Sequence, residues 1–209
     1  MIFASRKEAG EKLGQELQTR KFQADAILGL PRGGVVVAAE IARILKRPLD
    51  VLVVRKIGHP DFREFAVGAL AEAETVVLDK IALERTRVRP DELDEIIAEE
   101  TIRLKDYVRK FEHGKRSSLE GKSILLVDDG LATGATTEAA VRSARTQGGT
   151  RITVAVPVSS TNGYSRLSSV SDEVIALWID PNFQAVGQYY SRFSQTTDEE
   201  VLRLLEQGA

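Results

Sequence analysis

Ser123 to Val141 reads SILLVDDGLATGATTEAAV. An unbroken aliphatic run such as ILLV marks a strand buried on both faces of a sheet. It ends in two adjacent carboxylates, Asp128 and Asp129, and passes through a loop of Gly, Ala and Thr into a segment with helical spacing. In open α/β sheets ligands sit beyond the carboxyl ends of the strands, and the acid pair stands at that edge. Neighbouring carboxylates repel each other, so a chain built for stability alone would avoid them. Vicinal hydroxyls or Mg²⁺ would justify them, since carboxylates accept hydrogen bonds from a diol and attract hard cations. The loop that follows lets several backbone N–H groups converge at a helix start, where the dipole favours an anion. Thr133, Thr136 and Thr137 add hydroxyls. Each half has an ordinary reading, as a solvated acid pair or as simple turn and cap chemistry. In this order they describe a clamp for a ribose 5-phosphate.

Working outward, strand and helix patterns alternate. Helices are expected at Ser5 to Arg20, with Ser5 and Glu8 spaced as a capping box, and at Gly33 to Lys46, Pro90 to Phe111, Thr133 to Gln147 and Thr161 to Leu167. Strands are expected at Asp25 to Leu30, Leu49 to Lys56, Lys122 to Val127, Arg151 to Val158 and Glu173 to Ile179, with a hairpin over Glu64 to Asp79. The alternation implies an α/β fold, a central mostly parallel sheet flanked by helices. The 209 residues are read as one domain, 1–209, with a helical insertion over 81–115 and a small hood plus C-terminal helix over 180–209. Leu93, Ile96, Ile97, Leu104, Val108 and Phe111 give the insertion an apolar stripe that needs a partner, either the domain itself or a second subunit in a homodimer. Gly114 is placed to stop that helix.

Composition narrows the function. There is no cysteine, which excludes disulfides, thiol catalysis and Cys-ligated zinc. Lys and Arg number 29 against 31 Asp and Glu, so no global field draws the chain to nucleic acid or to an anionic membrane. The charged N-terminal stretch does not resemble a signal peptide, and no apolar run nears the roughly 20 residues that span a bilayer. A cytoplasmic location is expected. The nucleoside triphosphate loop pattern fails because no Lys follows Gly134, and no G-x-G-x-x-G is present. A receiver domain, which also places an acid pair after a strand, would need a further Asp ending a later strand with a Lys beyond it. No Lys follows Lys122.

LLVDDGLATGATT resembles the phosphoribosyl pyrophosphate signature of type I phosphoribosyltransferases. LGLPRGG, Leu28 to Gly34, stands after the first strand where that family keeps its pyrophosphate loop. The whole chain is similar to an uncharacterised group of phosphoribosyltransferase-like proteins that shares the long helical insertion and the AVGQYY tail. The resemblance implies a transferase that takes ribose 5-phosphate from phosphoribosyl pyrophosphate to a free nitrogenous base. Asp128 and Asp129 would then bind the ribose hydroxyls, one through Mg²⁺. Ala132, Thr133, Gly134, Ala135, Thr136 and Thr137 would hold the 5′-phosphate. Arg32, Gly33 and Gly34 would meet pyrophosphate, with a cis peptide at Pro31–Arg32. Arg55 and Lys56 resemble the pair opening the mobile lid of orotate enzymes, so the lid would be Ile57 to Glu64, with His59, Arg63 and Glu64 as candidates. Arg55, Lys56 and Glu64 are the catalytic candidates, because Ala132 stands where oxopurine enzymes carry an Asp. Phe183, in a stretch resembling the oxopurine hood, would stack on the base. Taken by themselves, PRGG reads as a turn, Arg55 and Lys56 as surface cations, His59 as surface, His113 as a helix-terminal cation, and Trp178, Tyr189, Tyr190 and Phe193 as core aromatics. The alternative function is a regulator that keeps the donor site to sense the metabolite without catalysis.

Overall fold

The computed structural model describes residues 1–111 and 118–207. His113 and Gly114, and the end of the expected insertion, lie outside the described residues. Along the chain run α1 (Arg6–Thr19), β1 (Ala26–Gly29), α2 (Gly33–Leu45), β2 (Leu49–Val51), β3 (Val54–Gly58), β4 (Ala66–Ala71), β5 (Thr75–Leu78), α3 (Lys80–Thr86) and α4 (Pro90–Phe111). Then follow β6 (Ser123–Val127), α5 (Ala135–Thr146), β7 (Arg151–Ser160), α6 (Thr161–Ser168), β8 (Glu173–Asp180) and α7 (Asp198–Gln207). The main sheet has the order β2-β1-β6-β7-β8, every pair parallel. Its inner strands are apolar on both faces, as coverage by helices on both sides requires. The α/β class expected from the alternation is the one observed.

The chain leaves β1 for β2 on one side and later returns to β6 on the other. The carboxyl ends of β1 and β6 therefore flank a topological switch point, the place where such sheets bind ligands. That juxtaposition sets the loop after β1 against the loop after β6.

Leu49 to Lys56 is not one strand. β2 pairs with β1 and stops, and β3 joins a separate antiparallel sheet of order β3-β4-β5. The break falls where Leu52 N still donates to Gly29 O at 3.2 Å but Val53 N turns to the carboxylate of buried Glu72 at 2.7 Å. An apolar run carries no trace of such a change of partner. α4 spans the residues its periodicity predicts and lays Ile96, Leu104 and Phe111 into the core of its own chain. Of the two partners expected for the apolar stripe, the one described is the chain's own core. α3, a separate short helix capped by Asp79, went unread because its seven residues are too few for a periodicity.

Ser5 caps α1 by accepting from Glu8 N at 3.4 Å, while Glu8 reaches back one residue further than a capping box, to Ala4 N. Phe3 donates to Tyr189 O and accepts from Ser191 N, tying the N-terminus to the tail. No described helix is long and apolar enough to cross a membrane.

Candidate active site at the switch point

Asp128 and Asp129 leave the end of β6 directly opposite Gly33 and Gly34, the first residues of α2. The approach is so close that a Cβ on Gly33 would lie 2.1 Å from Asp129 Oδ2, and one on Gly34 would lie 2.7 Å from Val127 O. Only glycine lets the two loops share this space. The Pro31–Arg32 peptide is cis.

Burial pushes the Asp128 carboxyl well above the ordinary aspartate value, and the neighbouring Asp129 adds to it; hydrogen bonds from Asp129 N at 2.8 Å and Thr137 Oγ1 at 3.4 Å pull the other way. Burial also raises Asp129, against an ion pair to Arg6 Nε at 2.7 Å. Arg6 is itself held by Ser194 O at 2.7 Å and by the face of Phe193, 3.8 Å from its centroid. Tyr190 donates to Asp129 O at 2.6 Å, and burial raises its phenol well above the ordinary value. Two acids thus face one guanidinium. The surplus negative charge suits hydroxyl donors or one hard cation, and Mg²⁺ asks for only one or two protein carboxylates when substrate oxygens complete its shell. No group of three or more His, Cys, Asp or Glu side chains that could hold a metal occurs among the described residues.

The loop beyond the acids ends at Gly134, whose φ of +74° and a would-be Cβ 2.3 Å from Leu167 both demand glycine. It opens α5 with no side-chain cap, and α2 opens at Arg32 equally uncapped, so both helix starts present N–H groups to the switch point. Ala132 and Thr133 are exposed and Ala135 and Thr136 half-buried. Thr137 differs from the expectation of a phosphate contact: it is buried, with its hydroxyl on Asp128. Arg32 turns its guanidinium to Asp198 at 3.6 Å, and Asp198 also pairs with Lys110.

A cavity of about 420 Å³ adjoins the loop, with Asp79, Ala132, Thr133, Asn162, Arg166 and Phe183 in its wall. Phe183 stacks on Tyr189 at 5.2 Å between centroids. The expected catalytic set is not there. Arg55, Lys56 and Glu64 line another cavity, about 450 Å³, that shares no lining residue with the first. Arg55 lies inside β3, pinned to buried Glu100 at 2.6 Å, and Lys56 reaches Glu64 Oε2 at 3.2 Å. His59, read as surface, is buried, and its Nδ1 accepts from Asp61 N at 3.1 Å. Trp178 and Phe193, read as core, are 43% and 40% exposed, while Tyr189 and Tyr190 are buried. A wider cleft of about 730 Å³ lies between the β4–β5 turn and α5, but its Arg142 and Arg145 are already paired with Glu138 and Asp172 and it touches neither loop.

Sequence reasoning missed Arg6 and Asp79. Neither carries a local signal, since Arg6 is one more cation at a helix start and Asp79 one more cap. Tyr190 was read only as packing, although it stands in the tail stretch that carries the family resemblance.

A parallel sheet with an acid pair and two uncapped, glycine-lined helix starts at its switch point defines an α/β protein whose candidate site lies between the loops after β1 and β6. The family model of the phosphoribosyl transferase domain matches residues 2–190, and the chain belongs to that family. It is 40% identical over 208 residues to two Mycobacterium tuberculosis proteins, "Putative phosphoribosyl transferase MT0597" and "Putative phosphoribosyl transferase Rv0571c". The alignment covers 99% of this chain and 47% of each relative, so the chain spans about half the length of those relatives. The crystal structure of TT1426 from Thermus thermophilus is 41% identical, covers both chains fully and superposes with a TM-score of 0.82. The AQ2163 protein from Aquifex aeolicus, 12% identical with a TM-score of 0.50 over 84% of this chain and 73% of its own, shares the fold.

Proposed function

We propose that the protein binds phosphoribosyl pyrophosphate with Mg²⁺ and transfers its ribose 5-phosphate to a ring nitrogen of a free base, releasing pyrophosphate. The observation that carries this reading is the contact of the Asp128–Asp129 pair with Gly33 and Gly34 beside the uncapped start of α5. It sets acceptors for a diol between two anion-binding helix starts, the charge pattern of the donor itself. Family membership and the names of the M. tuberculosis relatives support it.

In this reading Asp128 and Asp129 orient the ribose through its hydroxyls, Arg6 and Tyr190 hold Asp129, and the Thr133–Thr136 loop holds the 5′-phosphate. The backbone of Arg32, Gly33 and Gly34 would face pyrophosphate, the Arg32 guanidinium being turned to Asp198. Mg²⁺ at the acid pair would supply charge neutralisation for the leaving group. Phe183, supported from behind by Tyr189, would stack on the base. Little covalent work falls to the protein; its tasks are to align the nucleophile with C1, to stabilise departing negative charge and to exclude water.

Calorimetry with phosphoribosyl pyrophosphate and MgCl₂ tests the proposal. The wild type is expected to bind with a Kd of roughly micromolar to millimolar, and D128N/D129N is expected to show no binding while it still unfolds cooperatively, since the amides keep a hydrogen-bond acceptor for Arg6 and remove the repulsion of two buried charges. Unchanged affinity in the double variant overturns the reading. Donor binding without pyrophosphate release on any base would favour a sensor over an enzyme.

A further inference from the structure

An uncharged heterocycle that becomes glycosylated loses its ring N–H proton, and the methyl group of Ala132 cannot take it. We propose that Asp79, delivered to the same cavity from the antiparallel sheet, takes this proton and makes the cavity selective for uncharged bases with a ring N–H. The inference rests on the donor reading above.

Asp79 is the only carboxylate among the described residues lining the cavity that contains Ala132, Thr133 and Phe183. Its backbone is held on both sides, with its N–H donating to Val67 O at 2.9 Å and its carbonyl accepting from Leu83 N at 2.9 Å. Oδ1 accepts from Ala82 N at 2.9 Å and caps α3. That bond fixes the rotamer and leaves Oδ2 without a hydrogen bond among the described residues. A carboxylate with one oxygen anchored and the other open, beside the aromatic that would stack on the base, has the geometry of a general base. Glu64 does not, because it lines the other cavity.

The charges point to the same class of acceptor. Arg166, the only cation in the cavity wall among the described residues, is bound through Nε to Glu138 Oε2 at 2.6 Å. With Arg166 committed to Glu138, Asp79 is the one charged side chain in the described cavity wall without an ion pair, which disfavours an acceptor carrying its own carboxylate. In the step, the ring nitrogen forms the bond to C1, the C1–O bond to pyrophosphate breaks with its electron pair on the leaving oxygen, and the N–H proton passes to Asp79 Oδ2 and then to water.

The test is pyrophosphate release from phosphoribosyl pyrophosphate and Mg²⁺ with adenine, hypoxanthine, guanine, uracil, orotate and nicotinate, for wild type, Asp79→Asn and Asp79→Ala, with donor Kd measured in parallel. Asn caps helices as well as Asp does, so Asp79→Asn keeps α3 and removes only the basic oxygen. Turnover is expected on uncharged bases, with kcat falling about 10²-fold or more in both variants and donor Kd unchanged. A kcat for Asp79→Asn within a few-fold of wild type overturns the inference. So does turnover confined to orotate or nicotinate, and so does a donor-binding protein that uses none of the bases. A wild type that binds no donor fails the donor reading first and this inference with it, which separates the two failures.

Discussion

Glu138 shows how one residue serves the site from behind. It is buried at the first turn of α5, and burial alone would raise its carboxyl, but Arg166 and Arg142 outweigh that and hold it below the ordinary glutamate value. A carboxylate whose folded value is depressed adds stability above its unfolded value near 4.5, and that stability is lost as pH falls through the folded value. The stability difference between wild type and Glu138→Gln, from urea unfolding at several pH values, is therefore expected to be flat above about pH 5 and to shrink below about pH 4. A difference that grew on acidification would show that the two arginines do not govern this group. At this scale much of the site was readable. Asp128, Asp129 and Gly134 announce themselves because a strand end, an acid pair and a small-residue loop are all neighbours in sequence. Arg6 does not, because it meets Asp129 across 123 positions.

Among elements, α4 was the most legible, since 22 residues carry six turns of consistent periodicity, with acids at the start and Arg109 and Lys110 at the end. What it packs on was not. Its Glu100 is buried and receives Arg55 from β3 and Arg103 from its own helix, and Tyr107 lies 5.3 Å from the Arg55 guanidinium. Arg55→Ala leaves Glu100 with Arg103 alone and is expected to cost about 1–3 kcal/mol. Leu104→Ala, which empties a place in the core, is expected to cost about 3 kcal/mol. Urea midpoints with unchanged slopes would measure both; an Arg55→Ala as stable as wild type would show that the ion pair does not hold α4 to its sheet. The β2–β3 boundary was illegible for a related reason, because the carboxylate of Glu72 that redirects Val53 arrives from β4's far end.

For the whole molecule, the parallel sheet is closed by helices on both faces, while the antiparallel sheet rests on α5 and carries α3 and α4. β1, β6 and β7 sit inside the main sheet with both edges paired and nearly every residue buried. Native-state hydrogen exchange is expected to be slowest there, and fastest in residues 60–65 between β3 and β4, all partly or fully exposed. Exchange in β6 as fast as in that loop would mean that the parallel sheet is not the stable core. By itself the sequence determined the fold class, the helices with clear periodicity, and the acid pair with its Gly, Ala and Thr loop, since each depends on residues within a turn or two of one another. Only the tertiary structure decided that Arg6 and Tyr190 brace Asp129, that Arg55 and Glu64 belong to a different cavity, and that Asp79 shares one with Ala132. Those meetings follow from strand order and from which sheet each strand joins, and both are settled by burial summed over the whole chain, which no short stretch records.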